Sequence, residues 1–213
     1  MRFIKYCLLA LVIAFPAAAQ ENLHLGSLSW AITSGDGENG DLDFDVDATA
    51  LTGEYFVSEK VSLGITFEDY EEQYDFYADN DLCETDSLQL GVAYHARRAN
   101  ILAGTGKGYS VGIRSDDRST DCRDDNGFAS SDDETTEYID FKYDRGLGNG
   151  LTFRAYLLTD IDDFLDDREI GLGLTKIFGD QIGISALYAI SESTEYSFDV
   201  DSSVFEVSAS FYF

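Results

Sequence analysis

Val61-Ser62-Leu63-Gly64-Ile65-Thr66-Phe67-Glu68 places an apolar side chain at every second position and a small or polar one between. Successive side chains of a strand point to opposite sides, so this alternation reads as β-structure with one apolar face. The pattern recurs along the chain. Leu88, Leu90, Val92 and Tyr94 keep it, as do Ile139, Phe141 and Tyr143, and Leu151, Phe153, Ala155 and Leu157. Ile170, Leu172 and Leu174 form another row, Ile182, Ile184, Ala186, Tyr188 and Ile190 the next, and Phe205, Val207, Ala209, Phe211 and Phe213 the last. With residues 25–33, 49–57 and 101–114 the chain reads as ten strands. Two of these are imperfect. The apolar phase changes parity around residues 48–51, which predicts a bulge or a segment 42–47 lying beyond the apolar zone. Lys107 falls on the apolar parity among Gly104, Gly106 and Gly108, which predicts a glycine-assisted bulge turning it inward.

Composition narrows the class. The 213 residues carry 41 acidic and 14 basic side chains, a formal net charge of -27. Binding to nucleic acid needs a basic stripe that replaces condensed counterions, so no nucleic-acid partner is expected. Disorder is opposed by 44% hydrophobic and 14% aromatic residues, among them 13 Tyr and 15 Phe. Arg2 and Lys5 precede an apolar run over residues 6–15, followed by Pro16 and Ala17-Ala18-Ala19. This is the layout of a secretory signal peptide over residues 1–19, with a mature domain over 20–213. The run is shorter than the roughly 20 apolar residues of a membrane-spanning helix. Removing it leaves Cys83 and Cys122, an even pair in an exported chain, and they are expected to form a disulfide.

A soluble sandwich also alternates, and three features favour a transmembrane antiparallel up-and-down barrel instead. Short connections at residues 58–60, 97–100, 146–150 and 178–181 alternate with long ones near 34–47, 68–86, 115–137, 160–169 and 191–203. Short periplasmic turns and long external loops are how outer-membrane barrels are built. The outward rows are nearly pure apolar, whereas the inward rows are small or charged. Aromatics gather near strand ends, at Tyr55, Phe56, Tyr70, Tyr94, Tyr138, Tyr143, Phe178, Tyr188 and Phe211, as interfacial girdles require.

The terminal stretch Phe205-Glu206-Val207-Ser208-Ala209-Ser210-Phe211-Tyr212-Phe213 resembles the C-terminal strand of Gram-negative outer-membrane proteins, which ends in an aromatic with alternating apolar residues upstream. The mature chain is similar to small barrels of the OmpA/OmpX or porin-like type. That resemblance implies an outer-membrane location with both termini periplasmic. It also implies that Phe205, Val207, Ala209, Phe211 and Phe213 form the signal read by the assembly machinery. Outer-membrane lipid is then the other partner, and a monomer is expected.

The five long segments hold 34 acidic residues and only Arg118, Arg123 and Arg168 as cations. Lys60, Arg97, Arg98, Arg145 and Lys176 lie near the short turns, so the charge is polarised along the barrel axis. Acidic loops solvate a surface. They could also bind Ca²⁺ or Mg²⁺ loosely, because such cations take carboxylate oxygens. Asp160, Asp162, Asp163, Asp166 and Asp167 are the first weak metal candidates, with Asp116, Asp117, Asp121, Asp124 and Asp125 as another set. Neither has EF-hand spacing, and no tightly bound cofactor is expected.

Inside the barrel the alternation places Glu54, Glu68, Gln89, His95, Arg114, Asp140, Lys142, Asp144, Arg154, Tyr156, Glu169 and Glu206. Such a set reads as an ion-pair network filling a narrow lumen or as the lining of a pore. The turn at 146–150 predicts Arg154 opposite Lys142 and diagonal to Asp140 and Asp144. Catalysis needs a nucleophile, base and carboxylate within hydrogen-bond reach. Omptin-type proteases, also ten-stranded barrels, place Asp pairs and a His at the outer rim. Here His24 and His95 both fall near the short turns, away from the acidic segments, with His24 expected as an interfacial polar residue and His95 as a satisfied lumen residue. No enzyme is therefore expected. The sequence favours a structural or surface-interaction role, with a narrow porin-like channel for small solutes as the alternative.

Overall fold

The computed structural model describes residues 24–39, 42–75, 80–123, 129–162, 167–195 and 198–213. The expected signal segment lies outside the described residues. Alternating sequence becomes ten antiparallel strands: β1 (Gly26–Asn39), β2 (Leu42–Phe56), β3 (Val61–Asp75), β4 (Asn80–Arg97), β5 (Lys107–Arg123), β6 (Ala129–Gly148), β7 (Leu151–Asp160), β8 (Arg168–Phe178), β9 (Ile182–Glu195) and β10 (Phe198–Tyr212). Each pairs with its sequence neighbours, and β1 pairs with β10 to close the barrel. The seam is the expected one, running from Ser27 opposite Tyr212 up to Asn39 opposite Val200. Phe213 finishes it: its carbonyl accepts from the N–H groups of Leu25 (2.5 Å) and Gly26 (3.1 Å).

Period two sorts the side chains onto two faces. Trp30 is 51% exposed and Ile113 54%, and Leu90, Leu172, Ile184, Phe205, Val207 and Phe211 also face out. Large apolar groups on the outside and Ser, Thr, Gly and charged groups on the inside invert the arrangement of a soluble domain. Outward neighbours within this belt are mostly apolar, as in the row Trp30, Leu51, Phe67, Leu88.

The segments read as long loops differ most from expectation. Apart from 160–169, where β7 ends at Asp160 and β8 begins at Arg168, they are largely strand extensions, because the same alternation and pairing continue through the acidic stretches. β1 and β2 occupy most of 34–47, and β5 and β6 most of 115–137. Residues 42–47 stay in register with β1, and 44–47 also with β3, so no bulge explains the parity change at 48–51. Phe44 and Ala48 face inward and are buried, whereas Leu51 belongs to the outer row. The wall is uneven. β4 and β6 have 18 and 20 residues, against 10 and 11 in β7 and β8.

Four smaller readings also change. Residues 101–106 are turn rather than strand, and β5 begins at Lys107. Lys107 is not turned inward by a bulge; it is exposed at the rim, opposite Arg145, where solvent removes the need. The register shift lies instead on β4 between His95 and Arg97. Of the expected girdle aromatics, Phe56 faces inward and is buried, and Tyr70 and Tyr138 share the inward parity of Glu68 and Asp140.

Cys83 and Cys122 are directly opposite one another on β4 and β5 and form a disulfide, with Cα atoms 4.0 Å apart. It locks two strands above the apolar belt. Its sequence separation of 39 corresponds to roughly 4 kcal/mol of lost unfolded-chain entropy. Thiol labelling of the unreduced, denatured mature protein should find no free cysteine, and reduction should lower the midpoint of unfolding; two reactive thiols would contradict the pairing.

Candidate functional site

The lumen is built in layers from the short-turn end. The lowest layer arises because the β4–β5 connection folds inward. Its strap, residues 98–106, crosses the mouth of the barrel. Arg98 Nη2 donates to the His24 carbonyl (2.6 Å), and its guanidinium lies 3.4 Å from the centre of the Phe56 ring. Ile101 packs on Ile177 and Tyr212, with Leu102 beside them. On the opposite side Gly146, Gly148 and Gly150 donate N–H groups to the carbonyls of Gly106 (2.9 Å), Gly104 (2.7 Å) and Ala103 (3.0 Å). The close approach needs glycine: a Cβ at Gly146 would sit 2.3 Å from the Thr105 backbone. Burying Ile101 contributes roughly 1.5–3 kcal/mol, and a cation–π contact of a half-buried guanidinium about 1–2 kcal/mol.

His24 belongs to this floor, 5% exposed and edge-on to Phe56 and Tyr212, rather than being an interfacial residue. Its position before β1 puts the ring under the barrel end. Burial first, and then the Arg98 guanidinium, push the imidazole down to about 4.

Above the floor, His95 Nε2 and Ser62 Oγ are 2.8 Å apart, and Ser62 donates to Glu54 (2.8 Å). Glu54 also lies 3.9 Å from the same His95 nitrogen. A nucleophile triad needs serine and carboxylate on different imidazole nitrogens, so this trio ties strands together without activating Ser62. Next, Arg154 lies directly opposite Asp144 and pairs with it through two N–H groups (2.8 and 3.4 Å), while Tyr156 faces Lys142. The expected Arg154–Lys142 pairing is wrong because β6 and β7 stay paired past Gly146 as far as Gly148 opposite Leu151, leaving only Asn149 and Gly150 to turn and setting Arg154 opposite Asp144. Lys142 instead pairs with Asp140 on its own strand (3.1 Å). Tyr156 donates to Glu169, and its ring fills the space a side chain at Gly171 would need.

In the upper layer the expected Glu68, Gln89 and Arg114 are joined by Ser87, Asp116, Arg118 and Tyr138, which the sequence reading does not place in the lumen. Arg114 donates to Gln89 (2.6 Å), Gln89 to Glu68 (3.2 Å), Ser87 to Asp116 (2.6 Å), and Arg118 to Asp116 (2.8 Å) and Tyr138 (3.1 Å). Asp116 is 1% exposed. Counting parity onward from Arg114 places Asp116 and Arg118 on the inward row, whereas reading 115–137 as a loop leaves them out. Glu206 faces the same lumen beside Ser208. Between these layers lies a cavity of about 480 Å³, with small residues such as Ser29, Thr52, Gly64 and Gly91 on one side and Arg114, Lys142 and Arg154 on the other.

Among the described residues the metal candidates do not assemble. Asp116 points into the lumen, whereas Asp117 and Asp121 have the outward parity and are exposed. Asp160 accepts from the Asp162 N–H (2.6 Å). Asp124, Asp125, Asp163 and Asp166 lie outside the described residues. Among the described residues no group of three or more His, Cys, Asp or Glu could hold a metal ion. Carboxylates do align on the outer wall: Asp47, Glu71, Glu84 and Asp121 are successive cross-strand neighbours on β2 to β5.

The architecture now has counterparts. The fold is that of the outer-membrane β-barrels. The translocator domain of the autotransporter NalP from Neisseria meningitidis superimposes with a TM-score of 0.58 at 11% identity, covering 100% of this chain and 95% of that one. The transport unit of the autotransporter AIDA-I from Escherichia coli gives 0.50 at 10% identity, over 99% of this chain and 97% of that one. Neisserial surface protein A gives 0.50 at 8% identity, covering 88% and 97%. No protein-family model and no curated protein sequence matches the chain.

The floor carries a pH prediction. His24 is held neutral in the folded barrel but titrates near 6.5 when unfolded, so its contribution is complete above pH 6.5 and is lost as pH falls toward 4. Thermal unfolding midpoints of the refolded protein should drop over that window, and His24→Gln should drop less; parallel profiles would contradict the buried neutral ring.

Proposed function

We propose that the protein is an integral outer-membrane barrel with a closed lumen and a structural or surface-interaction role. The observation that carries this reading is the strap over the short-turn mouth, which meets the start of β1, the ends of β2, β8 and β10, and the β6–β7 turn. The exposed apolar belt supports residence in lipid. Leu25 and Phe213 share one end with the short turns, which supports periplasmic termini. The inward glycines do not argue for a wide pore, since Tyr156 takes the space over Gly171 and Asp140 that beside Gly112. Refolded protein in planar bilayers should show no conductance steps, and replacing residues 98–106 with a short Gly-Ser turn should produce them. Steps from the intact protein would overturn the closed-lumen reading.

The narrow channel for small solutes stays as a second reading because of the cavity of about 480 Å³ above the floor. The proposal includes no catalysis, since both histidines sit in or on the floor, at the opposite end of the barrel from the outer carboxylates. It takes the protein as a monomer and keeps β10 as the strand engaged by the assembly machinery, with Phe205, Val207 and Phe211 presented outward.

Loosely held Ca²⁺ or Mg²⁺ at the outer wall is supported by register. Like charges directly opposite on neighbouring strands repel, and Asp47, Glu71, Glu84 and Asp121 are so placed. Divalent cations bridging such pairs, or bridging them to lipid phosphates, would relieve the repulsion. Millimolar Ca²⁺ or Mg²⁺ should slow tryptic cleavage after Arg123 and Arg168 more than NaCl of equal ionic strength does. Equal protection would reduce the effect to screening.

A further inference from the structure

Above the apolar belt the barrel wall is interrupted. β6 pairs with β5 along its whole length, from Ala129 opposite Arg123 to Arg145 opposite Lys107. On its other side β6 pairs with β7 only from Tyr138 opposite Asp160 downward. Among the described residues, the β7–β8 connection reaches above that point once, where the Ile161 N–H donates to the Glu137 carbonyl (2.9 Å). Residues 129–136 are thus a strand edge with no neighbour among the described residues, and all but Thr136 are exposed.

The direction of the unpaired groups follows from that one bond. N–H and C=O of a given strand residue point to the same side, and the side alternates along the chain. Because the Glu137 carbonyl faces β7, the backbone groups of Thr135, Asp133 and Ser131 face the open side. The even-numbered residues are bonded toward β5. The edge is held upright by its partner strand, which the Cys83–Cys122 disulfide fastens to β4.

We propose that this edge is a docking surface for an extended, lysine- or arginine-bearing peptide segment of a surface partner, added to β6 as a further strand. This rests on the surface-interaction reading above and names its site and partner chemistry. Free edges accept strands, with backbone hydrogen bonds supplying affinity and side chains supplying selectivity. Asp132, Asp133 and Glu134 put carboxylates on both faces of the edge, and all three are exposed. The same charges oppose pairing with a second copy, which would set acid against acid in the new ladder. A basic strand reverses the sign of every such contact.

The test uses the full mature protein refolded in zwitterionic detergent and a fluorescent peptide alternating lysine and threonine, with its fully N-methylated analogue as the control of equal charge. The plain peptide should bind at least about tenfold more tightly than the analogue, as the loss of one or more backbone hydrogen bonds implies. Asp133→Pro removes an N–H on the open side without cutting a bond to β5, and should cost about tenfold, against about threefold for the charge change alone in Asp133→Asn. Equal binding of the two peptides, equal loss in the two variants, or no binding of the plain peptide would overturn the proposal. The peptide comparison on the unaltered protein stands even if Asp133→Pro fails to fold. Channel activity in bilayers would sink the closed-lumen reading instead, and would leave this comparison unaffected.

Discussion

The rest of the structure depends on closure of the backbone hydrogen-bond ladder between β1 and β10. In hydrocarbon no water satisfies an unpaired N–H or C=O, so a sheet can reside there only if it has no edge. Every strand of the apolar belt has two partners, and the last carbonyl, that of Phe213, still accepts from Leu25 and Gly26. Above the belt the requirement lapses, and there the ring is incomplete: β7 and β8 stop while β6 continues. Where closure is complete and where it is interrupted divides the barrel into a closed apolar wall and an incomplete acidic wall above it.

Once the ladder is closed, period two distributes the chemistry. One parity gives the outer face, apolar through the belt and acidic above it. The other gives the lumen, where small residues leave room for Arg154, Tyr156 and Tyr212 to reach across. Buried charges in such a space are tolerable because they are paired: Asp144 with Arg154, Asp140 with Lys142, Asp116 with Arg118. The strap beneath them adds what a bare barrel lacks, an apolar floor of Ile101, Ile177 and Tyr212.

Much of this was readable from the sequence because barrel strands are defined by a local, two-residue pattern. The ten strands, the seam and the inward identity of Glu54, Glu68, Gln89 and Arg114 follow from parity and order, and the Cys83–Cys122 pairing from the even count left in an exported chain. What failed depended on features parity does not encode. Acidic residues along 115–123 look like loop because their outer face is charged, yet Asp116 and Arg118 keep facing the lumen. The Arg154 register turned on the length of the hairpin turn: left-handed backbone at Gly148, Asn149 and Gly150 closes it in two residues, where the sequence reading allots five. The floor turned on Ile101 and Leu102, two apolar residues whose partners are distant in sequence.

Amide hydrogen exchange of the refolded mature protein tests most directly whether the wall is one continuous ladder. The N–H groups of β5 from Ser115 to Asp121 should be protected to a degree approaching those of Val111 to Arg114, because both pair with β4 and β6. Exchange of the acidic half at the rate of an open loop, with protection ending near Ser115, would contradict the continuous wall and the edge that depends on it.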